Sequence, residues 1–504
     1  MVSTKTCRRM SHVMVRDANP AVEDDAKRRL VVVSNRLPAL PEADSDAETS
    51  PQTVGGLVSA LYPALLERGG VWFGWSGRTT RRREHAPPHT LRRGAITLLA
   101  VDLSEEEVND FYTGFCNRTL WPLFHCFPTR MRWRSEEYRT YRRINRSFAT
   151  HLRSVLQAHD IVWVHDYHLI PLGSELRKLG WQGRLGFFLH TPFPPVDILT
   201  ILPYAIQLLE DLSMYDLLGF HTHRYRQNCA DALRMELGGT FDGEVYRHGK
   251  SSVRLGAYAI GTDPTTFERW ARSAQADLQS RRLRQSVRGR RILLGVDRLD
   301  YTKGIAERLS AFERLLERHP HWRGRVSLIQ ISAPSRTRVP EYITQKQEVE
   351  QLVGAINGRF SEGDWTPVRY LYRAYSQEEL AAFYREADVC IVTPLRDGMN
   401  LVAKEYIASQ TVNPGVLVLS RFCGAANDLR EAVIINPYDV DGTADAFNQA
   451  LEMPLAERKE RWQVLLERVH TRTAQTWSTQ FLAALLQGTT LRGVRTDNPA
   501  SSVR

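Results

Sequence analysis

The sequence predicts an α/β protein made of two doubly wound domains that face one another across a cleft. Short apolar runs of strand length alternate with amphipathic stretches of helical period along most of the chain, the pattern of parallel sheets covered by helices. The runs fall into two groups, before and after a junction near Ala259-Ile-Gly-Thr-Asp-Pro264. With 504 residues, 42% apolar and 25% charged, the chain has room for two cores of roughly 150–250 residues each. Ligands of such sheets bind beyond the carboxyl ends of the strands, so the cleft is the expected site.

Residues 1–27 are polar and mixed in charge and read as a disordered extension. The first domain is expected over 28–262. It opens with a strand at 30–34 (LVVVS) closed by Ser34-Asn35-Arg36, followed by a Pro-, Asp-, Glu- and Ser-rich loop at 39–53, expected to be mobile and to close over the site. Gly55-Gly56 then leads into a helix over 57–67. The aromatics Trp72-Phe73-Gly74-Trp75 and those from Tyr112 to Trp121 read mostly as core, although a ring exposed in a cleft stacks well on a sugar face. Further strands are expected at 161–165, 185–190 and 217–221. The second domain is expected over 263–492, with strands at 292–296, 326–331, 389–392 and 416–420 and amphipathic helices at 306–318 and 377–386. Its last helix is expected to pack back on the first domain, and 493–504 reads as a disordered tail.

The net charge of +10 is carried mostly by arginine, since eight of 67 basic residues are lysine. That balance suits anionic small molecules. The densest cluster, Arg78 to Arg83, has no interleaved aromatics and no nucleic-acid motif around it, which argues against nucleic-acid binding. Six cysteines are scattered without metal-ligand spacing and read as reduced thiols. Without an apolar leader or a run near the roughly 20 apolar residues of a membrane span, a cytoplasmic protein without membrane contact is expected.

Two segments carry the chemistry. Gly295-Val-Asp-Arg-Leu-Asp-Tyr-Thr-Lys-Gly304 places Arg298 and Lys303 across a turn at the end of an apolar run, and such a pair of cations suits a diphosphate. In Thr393-Pro-Leu-Arg-Asp-Gly-Met-Asn-Leu-Val-Ala-Lys-Glu405 an apolar run precedes the Asp397-Gly398 turn, and Asn400 onward has the composition of a helix start. A helix N-terminus there offers amide N–H groups to an anion. Glu405 falls about two turns into that helix, where its carboxylate can accept from two ribose hydroxyls. His190, before Thr-Pro-Phe-Pro-Pro195, is held by a stiff loop at a sheet edge. His165-Asp166-Tyr167-His168 lacks the further ligands of a metal site, and Asp166 is the more interesting group there, as an acceptor for hydroxyls.

These motifs, in this order from about Leu30 to about Leu486, resemble those of the trehalose-6-phosphate synthase family, retaining glycosyltransferases with two facing Rossmann-like domains of the GT-B type. The resemblance rests on Ser-Asn-Arg36, Gly55-Gly56, Trp72-Phe-Gly-Trp75, His165-Asp-Tyr-His168, Phe188-Leu-His190 with Pro192-Phe-Pro194, Asp297 to Gly304 and Arg396 to Glu405. It implies a nucleoside diphosphate glucose as donor, UDP-glucose first and GDP-glucose second, and glucose 6-phosphate as acceptor. Arg298 and Lys303 would hold the diphosphate, Glu405 the ribose, and Leu401 and Val402 the nucleotide through backbone, with Tyr375 near the base. Asp397, Gly398, Met399 and Asn400 would meet the transferred glucose together with His190, and Gly55 and Gly56 would close on the donor. His190, Arg298, Lys303 and Asp397 form the implied catalytic set. Arg36 and Arg336 would take the acceptor phosphate, with Tyr112, Trp121 and Asp166 around phosphate and sugar.

The resemblance further implies no metal, no cofactor, and a homo-oligomer, dimer or tetramer. A departure is Asp197, where the family often has Glu. No motif sets a carboxylate pair as nucleophile and acid, in agreement with a front-face route to retention rather than double displacement. The alternatives are a related sugar-phosphate glycosyltransferase, such as glucosylglycerol-phosphate synthase or a pseudo-glycosyltransferase making validoxylamine phosphate, and a non-catalytic sugar-phosphate sensor. Agreement at Arg36, Trp121, Asp166 and Arg336 argues against the first two, and intact Arg298, Lys303, His190, Asp397 and Glu405 against the third.

Overall fold

Ten strands and six strands form two separate sheets among the residues described by the computed structural model, 28–38, 56–81, 88–337 and 339–487. The extension 1–27, the acidic loop 39–53, Gly55 and the tail 493–504 lie outside the described residues. The first sheet runs β3-β4-β2-β1-β5-β6-β7-β10-β9-β8. Its members are β1 (Leu30–Arg36), β2 (Gly70–Thr80), β3 (His89–Arg93), β4 (Ile96–Ser104), β5 (Ile161–His165), β6 (Arg184–Phe188), β7 (Leu217–Phe220), β8 (Thr240–Phe241), β9 (Val245–His248) and β10 (Ser251–Ala257). The strands from β4 through β10 in that order pair in parallel, and β3, β9 and β8 add antiparallel edges.

The second sheet is wholly parallel, in the order β13-β12-β11-β14-β15-β16. It comprises β11 (Arg291–Arg298), β12 (Val326–Ala333), β13 (Val368–Leu371), β14 (Val389–Val392), β15 (Val416–Ser420) and β16 (Val433–Ile435). In each sheet the winding reverses beside its first parallel strand, between β1 and β5 and between β11 and β14. The loops leaving the carboxyl ends at such a reversal diverge to opposite faces and leave a crevice. That is where Arg36, Asp166, Arg298 and Asp397 leave their strands.

Strand β1 shows why the first sheet is buried on both faces. Val31 and Val33 pack with Phe73, Phe111, Phe115 and Phe148, while Leu30 and Val32 pack on the other face with Trp72, Trp163 and Phe188. The second group continues through Ile260 to Tyr406, Met399 and Leu294 of the second sheet, so one core crosses from sheet to sheet. The terminal helix Ala474–Gln487 closes that core. Phe481 stacks on Trp163 at 4.6 Å and 9°, and Trp477 meets Phe188 edge-on at 5.1 Å.

Strands β5, β14 and β15 and the helix Gln377–Glu386 fall on the expected residues. The strand expected at 185–190 stops at Phe188, because the run is apolar to Leu189 but the prolines from Pro192 turn it into loop. The Trp72 to Trp75 aromatics are core as expected, and they lie within the long strand β2, whose partner β4 was not foreseen, nor were β10 and the antiparallel strands β3, β8 and β9. Val108–Leu120 is a π-helix, a rare form that recurs at functional sites. No helix among the described residues is long and apolar enough to cross a membrane.

Candidate functional site

At the end of β11 the chain makes a tight turn in which Asp300 accepts from the Thr302 amide at 3.0 Å and Tyr301–Lys303 forms one turn of 3₁₀-helix. Gly304 follows at φ 62°, a left-handed conformation that favours glycine; a Cβ there would stand 2.1 Å from the Thr393 carbonyl oxygen of β14's exit. This turn aims Lys303 at Asp397, Nζ to Oδ2 2.5 Å. Burial opposes ionisation of Asp397, but the charge and hydrogen bond of Lys303 hold its carboxyl below the ordinary value. Asn400 donates to the same oxygen at 3.2 Å and, at φ 76°, caps the helix Leu401–Ser409 by accepting from the Ala403 amide. The first-turn amides of Leu401 and Val402 thereby start a helix at the cleft, where N–H groups lack intrahelical partners. Glu405, one turn into the helix and not the expected two because the helix begins only at Leu401, accepts from the Tyr384 hydroxyl at 3.0 Å, and its burial pushes its carboxyl up to about 7.

The first sheet comes to within contact of this loop. A Cβ on Gly398 would lie 1.9 Å from the carbonyl oxygen of His190, so only glycine lets the two backbones meet. Tyr225 donates across the same seam to the Asp397 carbonyl at 2.9 Å. His190 sits among Phe188, His221 and Trp477 at 4.8, 5.3 and 5.8 Å, with Nε2 3.1 Å from Nδ1 of His165. Burial lowers the pKa of both imidazoles well below the ordinary value. Asp166 has φ 73° and ψ 165°, a region close to glycine-only that costs a side chain of order 1–3 kcal/mol and is tolerated chiefly at functional sites. It accepts from the His190 amide at 3.3 Å, and burial raises its carboxyl to about 6.

Asp166, His190, Arg298, Lys303, Asp397, Met399, Asn400, Leu401, Val402 and Glu405 thus line one interdomain cleft of about 350 Å³. Tyr375 is not among its walls; it packs on Phe383 at 5.2 Å beneath the Arg373 guanidinium at 4.1 Å, because the turn before Gln377–Glu386 keeps it with its own helix. Gly56 opens its helix as expected, and Gly55 falls outside the described residues. His165 and His168 part company: His165 pairs with His190, while His168 stacks between Tyr112 at 5.9 Å and Tyr167 at 4.0 Å.

A second group adjoins the cleft. The Trp121 ring, just past the π-helix, carries the Arg336 guanidinium at 3.9 Å and that of Arg298 at 5.6 Å. Arg336 also donates to Asp300 at 3.2 Å, to the Tyr167 hydroxyl at 3.3 Å and to the Tyr342 hydroxyl. Burial works against its charge, but Tyr342, Tyr167 and Asp300 keep it a firm cation. Asp300 is in turn held at about 2, burial being outweighed by Arg336, Arg298 and Lys303. Tyr112 and Arg36 reach this group through a chain of ring contacts: Trp121 tilted against Tyr167 at 5.8 Å, Tyr167 stacked on His168, His168 stacked on Tyr112, and Tyr112 tilted against Trp75 at 6.0 Å, with exposed Arg36 over Trp75 at 5.6 Å.

The arrangement can bind a polyanion between Lys303, Arg298 and a helix start, hold a diol on Glu405, and take a second anion at Arg336. Residues 28–487 match the profile of glycosyltransferase family 20. The chain belongs to that family. A trehalose-6-phosphate synthase of Sinorhizobium fredii is 43% identical over 90% of this chain and 97% of its own. The crystal structure of an α,α-trehalose-phosphate synthase (UDP-forming) from Burkholderia xenovorans in complex with glucose-6-phosphate superposes with a TM-score of 0.86 at 40% identity, covering 91% of this chain and 100% of that one. The Escherichia coli enzyme bound with UDP-2-fluoro glucose gives 0.85 at 39% identity over 92% and 99%. The protein is therefore a family 20 glycosyltransferase with the GT-B fold.

Several walls of this glycosyltransferase cleft escaped sequence reasoning. His221 lines it with Ile260, Val296 and Asp297. His221 closes an apolar run of the sequence just as His190 does, each shortly past its strand, and that shared position was the available signal. Asp297 is locked into a buried pair with Arg308 at 2.6 Å, and Arg308 continues to Gln330 and Thr393; nothing local marks that network. Lys404, inside the second motif, turns away from the cleft to Asp428 at 3.2 Å and the Ile260 carbonyl at 2.8 Å, tying the helix to the crossing between the sheets.

Proposed function

We propose that the protein transfers glucose from UDP-glucose to the anomeric hydroxyl of glucose 6-phosphate, with the α configuration retained, giving α,α-trehalose 6-phosphate. The observation that carries this reading is that one ring, Trp121, has both the Arg298 guanidinium at 5.6 Å and that of Arg336 at 3.9 Å, so that two candidate anion sites adjoin. A diphosphate at Arg298 and Lys303 and a sugar phosphate at Arg336 would bring an acceptor hydroxyl beside the donor's anomeric carbon. The Burkholderia xenovorans and Escherichia coli relatives, crystallised with glucose-6-phosphate and with a UDP-sugar analogue, support the same pairing.

In the proposed step the bond from anomeric carbon to diphosphate oxygen breaks and the bond to the acceptor oxygen forms on the same face. The acceptor proton passes to the departing phosphate oxygen. Arg298 and Lys303 stabilise the charge that grows on that diphosphate, which is where fixed cations lower a barrier most. Lys303 must then exchange Asp397 for phosphate, and Asp397 and Asn400 become free for glucose hydroxyls. His190 and Asp166 take the opposite wall of the sugar, Glu405 the ribose, and Arg336 with Arg36, Tyr112 and Trp121 the acceptor. The test is nucleoside diphosphate release from UDP-, GDP- and ADP-glucose with and without glucose 6-phosphate, with product identification. Release from UDP-glucose that requires glucose 6-phosphate and yields an α,α-linked disaccharide phosphate is expected. Release that requires another acceptor, or no release, overturns the reading.

A further inference from the structure

His190 and His165 share one hydrogen bond between ring nitrogens, Nε2 to Nδ1 at 3.1 Å, and burial keeps both rings neutral. One proton therefore lies between those two atoms, and which ring owns it decides what His190 shows to the cleft it lines. If His190 owns it, His165 must carry its own proton on Nε2. That nitrogen is buried with no hydrogen-bond partner, in a ring packed against Trp163 at 4.6 Å and Trp477 at 6.2 Å. An orphaned buried N–H is rarer and costlier than an unused acceptor. If His165 owns the proton on Nδ1, only an unused lone pair is left on that buried Nε2. His190 then accepts at Nε2 and must carry its proton on Nδ1, its remaining nitrogen.

We infer that His165 is a positioning residue which fixes His190 as the Nδ1–H tautomer, so that His190 offers the transferred sugar a hydrogen-bond donor and not an acceptor. The inference rests on the proposed glucose transfer for its functional half. It goes beyond that reading in assigning a task to His165 and a proton to a stated atom. The chemical consequence is selectivity: a hydroxyl at His190 has to accept there and direct its own proton elsewhere, as towards the carboxylates of Asp166 or Asp397 on the other walls of the cleft. The partner that orients a metal-ligating imidazole is typically worth about 10- to 100-fold in activity, and a loss of that order is expected here.

Two substitutions separate this role from packing. In His165→Asn the amide nitrogen can stand where Nδ1 stood and still donate to His190, although the side chain is smaller. In His165→Phe the ring volume is kept and the donor is lost. A packing role makes the phenylalanine variant the better enzyme; the tautomer role makes it the worse, by about 10- to 100-fold in kcat with the KM for glucose 6-phosphate nearly unchanged. Nitrogen-15 spectra of histidine-labelled whole protein, with His190→Asn to assign the signal, read the tautomer without substrate. The expected wild-type spectrum has a protonated Nδ1 and a bare Nε2 on His190, retained in His165→Asn and lost in His165→Phe. A protonated Nε2 in the wild type overturns the inference. So does the expected spectrum together with full turnover of His165→Phe, which would mean that the tautomer is set but unused. Failure of the wild type to transfer glucose at all would instead sink the proposed function and leave the spectrum's answer about the proton standing.

Discussion

Lys303 and Arg336 are cations of neighbouring pockets held in opposite ways. Among the described residues Lys303 pairs with Asp397 alone, the two side chains 12% and 14% exposed, while Arg336, 5% exposed, is gripped by Asp300, two tyrosine hydroxyls and the face of Trp121. The proposed donor half thus keeps its charge on an exchangeable partner, ready to be handed to a diphosphate. The proposed acceptor half arrives already assembled, so less ordering remains to be done when its ligand binds. The difference teaches that one cleft can pair an adaptable subsite with a rigid one, each suited to a different moment of the transfer.

The largest effect should fall on the donor half. Arg298→Ala is expected to lower kcat by about 100- to 1,000-fold, the typical cost of removing one preorganised stabiliser of developing charge; unchanged turnover would show that the diphosphate lies elsewhere. On the rigid side, Arg336→Lys keeps the charge but not the planar fork. The KM for glucose 6-phosphate should rise about 10- to 100-fold, from about 1.5–3 kcal/mol for a lost charged hydrogen bond, while calorimetry finds UDP-glucose affinity intact. Equal damage to both ligands would erase the distinction between the halves.

Gly398→Ala probes the seam that joins them. The new Cβ would meet the His190 carbonyl, so the loop must retreat at a cost of about 1–3 kcal/mol, read as a lower melting temperature and weaker UDP-glucose binding together. The smallest effect is a pH slope. On the proposed reading ribose hydroxyls would donate to Glu405 and so favour its ionised form, whereas burial raises its carboxyl to about 7. Below that pH, binding has to expel a proton. UDP-glucose affinity is therefore expected to climb with pH, by about tenfold per unit at most, and to level off above 7, and Glu405→Gln should bind more weakly and without the slope.

The same contrast governs what could be read from the chain. The donor half comes from two short segments, 295–304 and 393–405, whose apolar run, turn and helix start are each local, so residue order and turn chemistry were enough to find Arg298, Lys303, Asp397, Asn400 and Glu405. Tyr375, which only family resemblance and no pattern around it had pointed to, packs its ring on Phe383 outside the walls of the cleft. The acceptor half joins residues from four distant stretches, and only resemblance pointed to Arg336 and Trp121. Spacing did not reveal a π-helix at 108–120, nor the aromatic ladder from Trp121 to Trp75.

By itself the sequence determined the α/β class, the grouping of strands about residues 259–264 and the local turns that carry cations to strand ends, because periodicity and turn residues act within a few positions. Tertiary structure alone decided that Trp477 would back His190 from the far end of the chain, that His221 would join the cleft, and that His165 would meet His190 nitrogen to nitrogen. Those contacts depend on the register of parallel strands and on a helix returning across the sheet. Each is set by packing between segments that share no pattern along the chain.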